Sequence, residues 1–204
     1  MDKNAFESKV RHKLRGWYSI QEWEDMAVER ISKLREEFQR LLSGIKRDGI
    51  AELMEYLDEC GFYYRPSSGK RHHNYPGGLA EHCLGVYRKM LNCKLDGISE
   101  DSIKLVGLLH DLCKCDMFYF QGRNIRQHMR QGHGSRSVRI LNRLGVMLTP
   151  EEYRAIRYHM GGAKDTNKLK QFPDLAIAVK EPLWKAVHHS DHEDAKEACK
   201  RARK

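Results

Sequence analysis

Five short stretches carry side chains that could do chemistry. They are "GGLAEH" ending at His82, "GLLHDLCKCD" (107–116) with His110 and Asp111, "GHGS" with His133, "YHMG" with His159, and "HHSD" ending at Asp191. His82 falls between Leu79 and Val86 at helical spacing, and His110 between Val106 and Cys113. His159 lies three after Ile156, and Asp191 four after Val187. Each polar group therefore sits on or beside an apolar stripe. Burying a carboxylate is costly unless it is paired or binds a metal. A single inward histidine is usually a hydrogen-bonded core residue, but several with an aspartate change that balance. The gaps of 28, 23, 26 and 32 residues from His82 through to Asp191 each fit one helix plus one connection. Such groups can converge in a bundle core, as helical metal sites do.

The elements that must position them read as helices. Apolar residues recur at spacings near three and four over 22–45 (Trp23, Met26, Ile31, Leu34, Phe38, Leu41, Ile45). A shorter helix ends at Gly61, and 65–78 is a loop. Helices are then expected over 79–92 and about 101–117. Another is capped by Ser135 and runs to about 144. "TPEE" (149–152) is a capping box with proline at the first helical position, and that helix stops at Gly161-Gly162. The last starts near Glu181-Pro182. No run alternates with period two, and there is no internal repeat. The fold class is all-α, with an N-terminal helical extension over 1–47 and the main domain over 48–204.

The 204 residues suit one domain, or one domain with an appendage. The N-terminus lacks a signal peptide's apolar run and no stretch is long enough to span a bilayer, so the expected address is cytoplasmic, without a membrane partner. The six cysteines show no disulfide framework. Cys83 and Cys113 read as packing residues, and Cys113 with Cys115 is too isolated for a zinc site. The formal charge of +9 favours phosphate-bearing partners, although the basic tails "KVRHKLR" and "KRARK" read as solubility.

Adjacent helical residues diverge by about 100°, so His110 and Asp111 cannot face each other but can reach an ion between them. Gly107, one turn before Asp111, is expected to leave room for it. The ligand types suit manganese, iron or zinc better than calcium. Lys114 shares the side of His110 and Asp111. Arg136 lies one turn beyond His133, at a helix start able to hold an anion.

These motifs resemble the HD-domain metal-dependent phosphohydrolase superfamily over about 48–195. Its signature of a histidine, then His-Asp, then a late aspartate maps onto His82, His110, Asp111 and Asp191. "PSSGKRHHNYPGGLAEHCLGVY" is most similar to the subgroup containing the HD domain of bacterial 3′–5′ exoribonucleases, with His72 rather than His73 at the recurring histidine. No OB-fold precedes the domain here. The resemblance implies an HD-domain helical bundle and two divalent ions bridged by Asp111, with His133 and His159 on the second. Manganese or iron is the leading expectation, with zinc, cobalt, nickel and magnesium as alternatives.

The expected reaction is hydrolysis of a phosphate ester by metal-activated hydroxide. Asp111, Lys114 and His72 are the catalytic candidates, with His72 protonating the leaving oxygen. Lys114, Arg136, His72, Tyr75 and Lys70 are the substrate-binding candidates, Tyr75 as a stacking ring. The substrate would be a nucleotide, a short nucleic-acid end or another phosphate-bearing small molecule. Three other readings compete: a di-iron oxygenase of HD-like fold, a nucleic-acid-binding module with a structural metal, and a metal-free bundle of satisfied core histidines.

Overall fold

The computed structural model describes residues 2–14, 21–69, 72–121, 124–127, 132–161 and 166–201, the side chains of 21–24, 118–121, 124–127 and 166 excepted. Two N-terminal helices, α1 (Lys3–Leu14) and α2 (Gln21–Ser43), pack together. Next come α3 (Ile50–Glu59) and a 3₁₀ turn at Phe62–Tyr64. α4 (Gly78–Met90), α5 (Glu100–Leu109) and the short α6 (Lys114–Met117) follow. A two-stranded antiparallel hairpin, β1 (Phe118–Gln121) and β2 (Asn124–Gln127), leads to α7 (His133–Arg143) and α8 (Pro150–Tyr158). α9 (Thr166–Gln171), α10 (Pro173–Ala178) and α11 (Pro182–Arg201) complete the chain. The architecture is all-α apart from that hairpin, which the expectation of no strand missed: four-residue strands are too short for period-two alternation to register.

α4 is central. It packs on α5, α11, α2 and the 3₁₀ turn. Leu79, Cys83, Val86 and Met90 are buried along it, with His82 among them. Phe6 of α1, Phe38 of α2, Phe62 and Tyr63 form a set of edge-to-face rings, so the N-terminal helices share one buried core with the rest. Under that set Arg35 holds Asp58 through two hydrogen bonds of 2.7 and 2.6 Å. Along the expected stripe Ile31, Phe38, Leu41 and Ile45 are buried and Leu34 is half-buried, Met26 faces outward at 54% exposed, and the Trp23 side chain lies outside those described.

Three local details differ from expectation. α5 does not run on to 117. It ends at Leu109, and the N–H groups of Leu112, Lys114, Cys115 and Asp116 donate to the carbonyls three residues back, the tighter 3₁₀ pattern. Gly107 makes no room for an ion. A Cβ there would sit 2.9 Å from Tyr87 Cα and 3.0 Å from its Cβ, so this glycine lets α5 lie close against α4. α7 starts at His133 rather than at Ser135, with Gly132 at φ 72° before it. The Thr149 capping box at α8 is present as expected, and Glu152 also receives Arg47 through two hydrogen bonds of 2.7 and 2.6 Å.

Candidate metal centre

His82 comes from α4, His110 and Asp111 from the turn after α5, His133 from the start of α7, His159 from the end of α8, and Asp191 from α11. The structure brings all six together. His82, His110, Asp111 and His159 are at most 1% exposed. His110 and Asp111 sit where α5 gives way to the i→i+3 turn. It is pinned to α7: the Cys113 N–H donates to Ser137 Oγ (3.1 Å) and its thiol donates to the His133 carbonyl (3.0 Å).

The Asp111 carboxylate is the hub. Its Oδ2 lies 3.5 Å from both His82 Nε2 and His110 Nε2. Its Oδ1 lies 3.5 Å from His159 Nε2 and 3.7 Å from His133 Nε2. Asp191 Oδ1 adds a contact of 3.1 Å to His82 Nε2. Two ligands held at about 2.1 Å from one ion stand about 3.0–3.4 Å apart in tetrahedral or octahedral geometry, so these spacings are close to those of a loaded site.

The hydrogen bonds select the same edge of each ring. His82 Nδ1 donates to Asp194 Oδ2 (2.8 Å), His110 Nδ1 to the Gly107 carbonyl (3.0 Å), and His159 Nδ1 to the Ile156 carbonyl (2.7 Å). That fixes the proton on Nδ1 and leaves the Nε2 lone pair inward, as metal-binding histidines require. The Nε2 atoms of His82, His110, His133 and His159, with Asp111 Oδ1, are all buried without a hydrogen-bond partner. Buried polar atoms are rarely left so. Three ligand groups meet at this centre, namely His82, His110 and Asp111; His110, His159 and Asp191; and Asp111, His133 and His159; and a fourth, His73, His82 and Asp194, adjoins it. Each could hold a metal ion.

The electrostatics ask for positive charge at this point. Burial disfavours the charged form of His82, but Asp111, Asp191 and Asp194 outweigh it and push its pKa up to about 10. Burial presses His110 and His133 down to about 4, with Asp111 opposing in both cases. Asp111 is itself held well below the usual carboxylate range: burial opposes this, but Lys114 and the surrounding histidines prevail. A proton on His82 or a divalent cation each answers the same demand.

The remaining candidates divide. Lys114 Nζ sits 2.5 Å from Asp111 Oδ2 and 3.4 Å from Ser67 Oγ, so it is a mostly buried partner of the hub and not a surface lysine. His72 reaches the site, its ring 5.4 Å from that of His82. Burial, His82 and Lys114 push its pKa down to about 4. Tyr75 does not present a free face. Arg30 lies over its ring at 4.9 Å, His73 stands 5.9 Å away, and Glu81 takes its hydroxyl. Arg136 points to Asp116, 3.8 Å away, and not to the hub. Lys70 lies outside the described residues.

Two contributors were missed from sequence. Asp194 orients His82, and its signal was the i, i+3 spacing from Asp191 on one face of α11. Gly85 on α4 makes room for it, since a Cβ there would fall 2.2 Å from Asp194 Oδ1. His73, buried and at φ 48°, places Nε2 3.6 Å from Asp194 Oδ2. Among the described residues no helix is long and apolar enough to cross a membrane. No family model matches the chain, and neither a curated protein nor a solved structure does.

Proposed function

We propose that this chain is a metal-dependent phosphohydrolase built on an HD-type helical bundle. The observation that carries the reading is the ring of four unpartnered Nε2 atoms around one carboxylate, with the outer Nδ1 of His82, His110 and His159 each hydrogen-bonded to an oxygen acceptor. His82, His110, Asp111 and Asp191 would hold one ion, and His133 and His159 a second with Asp111 common to both. A mixed histidine and carboxylate set suits manganese or iron. When bound, such ions supply Lewis acidity at neutral pH and lower the pKa of water.

The chain's own groups prepare the rest. Asp194 holds His82 in the correct tautomer. Lys114 is charged and lies beside Asp111, at the oxygen that also faces His82 and His110, where it offsets negative charge gathered at the site. His72 is neutral at pH 7 and faces His82, so it is suited to hydrogen-bond the substrate or accept a proton. This alters its expected role as proton donor. The preferred substrate class is a nucleotide or a nucleic-acid end.

The test is metal analysis of purified protein, then a phosphoester panel of 5′- and 3′-nucleotides, 2′,3′-cyclic nucleotides, short single-stranded RNA and a sugar phosphate with manganese. Turnover on a nucleotide that disappears in Asp111→Ala supports the reading. Iron content with O₂ uptake and no phosphoester turnover overturns it in favour of an oxygenase.

A further inference from the structure

The outer face of the α7–α8 pair carries a second constellation, away from the metal centre. A cavity of about 440 Å³ is lined by Arg139, Asn142 and Arg143 from α7 and by Tyr153 and Arg157 from α8, with Ser135 and Val138 at its edge. Asn142 comes nine residues after His133, which turns it about 180° from that ligand at 100° per residue. The cavity and the metal centre therefore open on opposite sides of α7.

Its charge is one-sided. No carboxylate lines it. By contrast, one other surface cavity includes Glu151 and Glu181 and another includes Glu81, Asp194 and Glu197. Among the described residues Arg139, Arg143 and Arg157 make no ion pair. Arg157 is the informative member. Its guanidinium stands 5.4 Å from the centre of the Tyr153 ring and 5.2 Å from that of Tyr158, and it donates to the Tyr153 hydroxyl. Its Nε is buried with no partner. A cation held half-buried between two rings, with no carboxylate lining the opening, favours an anion arriving from the cavity side.

We infer that this cavity is a binding site for a small ligand carrying two or more phosphate groups, such as a nucleoside di- or triphosphate. Three planar guanidinium groups around one opening match several phosphate oxygens, which arginine engages in pairs. Asn142 and Ser135 supply neutral hydrogen-bonding groups beside them. The volume falls within the roughly 300–1,000 Å³ range of small-molecule sites. The site rests on different residues from the proposed hydrolytic centre and stands whether or not that centre hydrolyses phosphoesters.

The probe is inorganic tripolyphosphate, titrated calorimetrically into the wild-type protein, with orthophosphate and a short single-stranded RNA as comparisons. Because a polyphosphate also chelates metals, Asp111→Ala is titrated in parallel. Arg139 and Arg143 are both exposed, so Arg139→Ala/Arg143→Ala is expected to keep the wild-type circular dichroism. The expected result is tripolyphosphate binding that exceeds orthophosphate binding and survives Asp111→Ala within about twofold. The double arginine variant should weaken it by about 100-fold, as loss of two charge-assisted contacts implies. Three results would overturn the assignment: no tripolyphosphate binding to wild type, binding that follows Asp111 and ignores the arginines, or short RNA binding more tightly than tripolyphosphate.

Discussion

Asp194 Oδ2 accepts a hydrogen bond of 2.8 Å from His82 Nδ1, so a residue on the last helix decides which nitrogen of a residue on the central helix faces the hub. Replacing this partner should weaken metal binding without removing a ligand. Asp194→Asn is expected to lower metal affinity by about 10–100-fold, the usual effect of losing such an outer partner. Competition against a chromogenic chelator measures it. Gly85→Ala should act in the same direction, because its Cβ collides with Asp194 Oδ1. Unchanged affinity in both variants would deny Asp194 an orienting role.

The two sides of the Asp111 carboxylate should separate in a metal count. His159→Ala is expected to lower the metal-to-protein ratio from about two to about one, and Asp111→Ala to bring it near zero, since its oxygens face both sets of histidines. Elemental analysis of protein reloaded with manganese gives the answer. A wild-type ratio of one would reject a paired site.

Lys114→Met should reduce turnover on the best phosphoester by about 100-fold, the scale set by loss of one charge-stabilising donor. Metal content should not fall, because the substitution removes a cation from beside Asp111 and no ligand. Single-turnover kinetics with parallel metal analysis separates the two effects. A silent substitution would leave Lys114 as a structural counter-charge only.

The Arg47–Glu152 pair makes a pH prediction away from the centre. Burial raises the Glu152 pKa, but Arg47, Ser102 and the Thr149 N–H overcome it and hold the carboxyl below its ordinary 4.5. A depressed folded-state pKa gives stability that is present above the unfolded value and is lost as pH falls through the folded one. Glu152→Gln should therefore destabilise the protein at pH 7 by about 2 kcal/mol, less than a fully buried pair because Arg47 is 20% exposed. The difference from wild type should shrink as pH falls below the ordinary value of 4.5. Urea melts across that range test the sign.

The inward placement of His82, His110, His159 and Asp191 was legible because each lies on or beside an apolar stripe, and a stripe names its inward face, whereas Asp111 and His133 were read from the neighbouring His110, the spacing and the resemblance. Asp194 was not, because "SDHEDAKEACKRARK" reads as a solvated, charged helix end. Tyr75 and Arg136 were misread for a different reason. Their partners, Arg30 and Asp116, lie 45 and 20 residues away in sequence, and no local pattern announces them. The break after Leu109 was equally hidden, since i→i+3 and i→i+4 bonding leave the same apolar spacing over one turn.

The His82–Asp194 bond spans 112 residues. Synthesis runs from the N-terminus, so α4 emerges long before α11 exists to meet it. During that interval the buried side of α4 has α5 beside it but lacks the carboxylates of Asp191 and Asp194. The nascent chain thus holds an incomplete set of ligands and an uncovered apolar flank until its final helix docks. Closure of the centre and closure of the core become a single late event, and any stop ahead of residue 191 would release a chain lacking both.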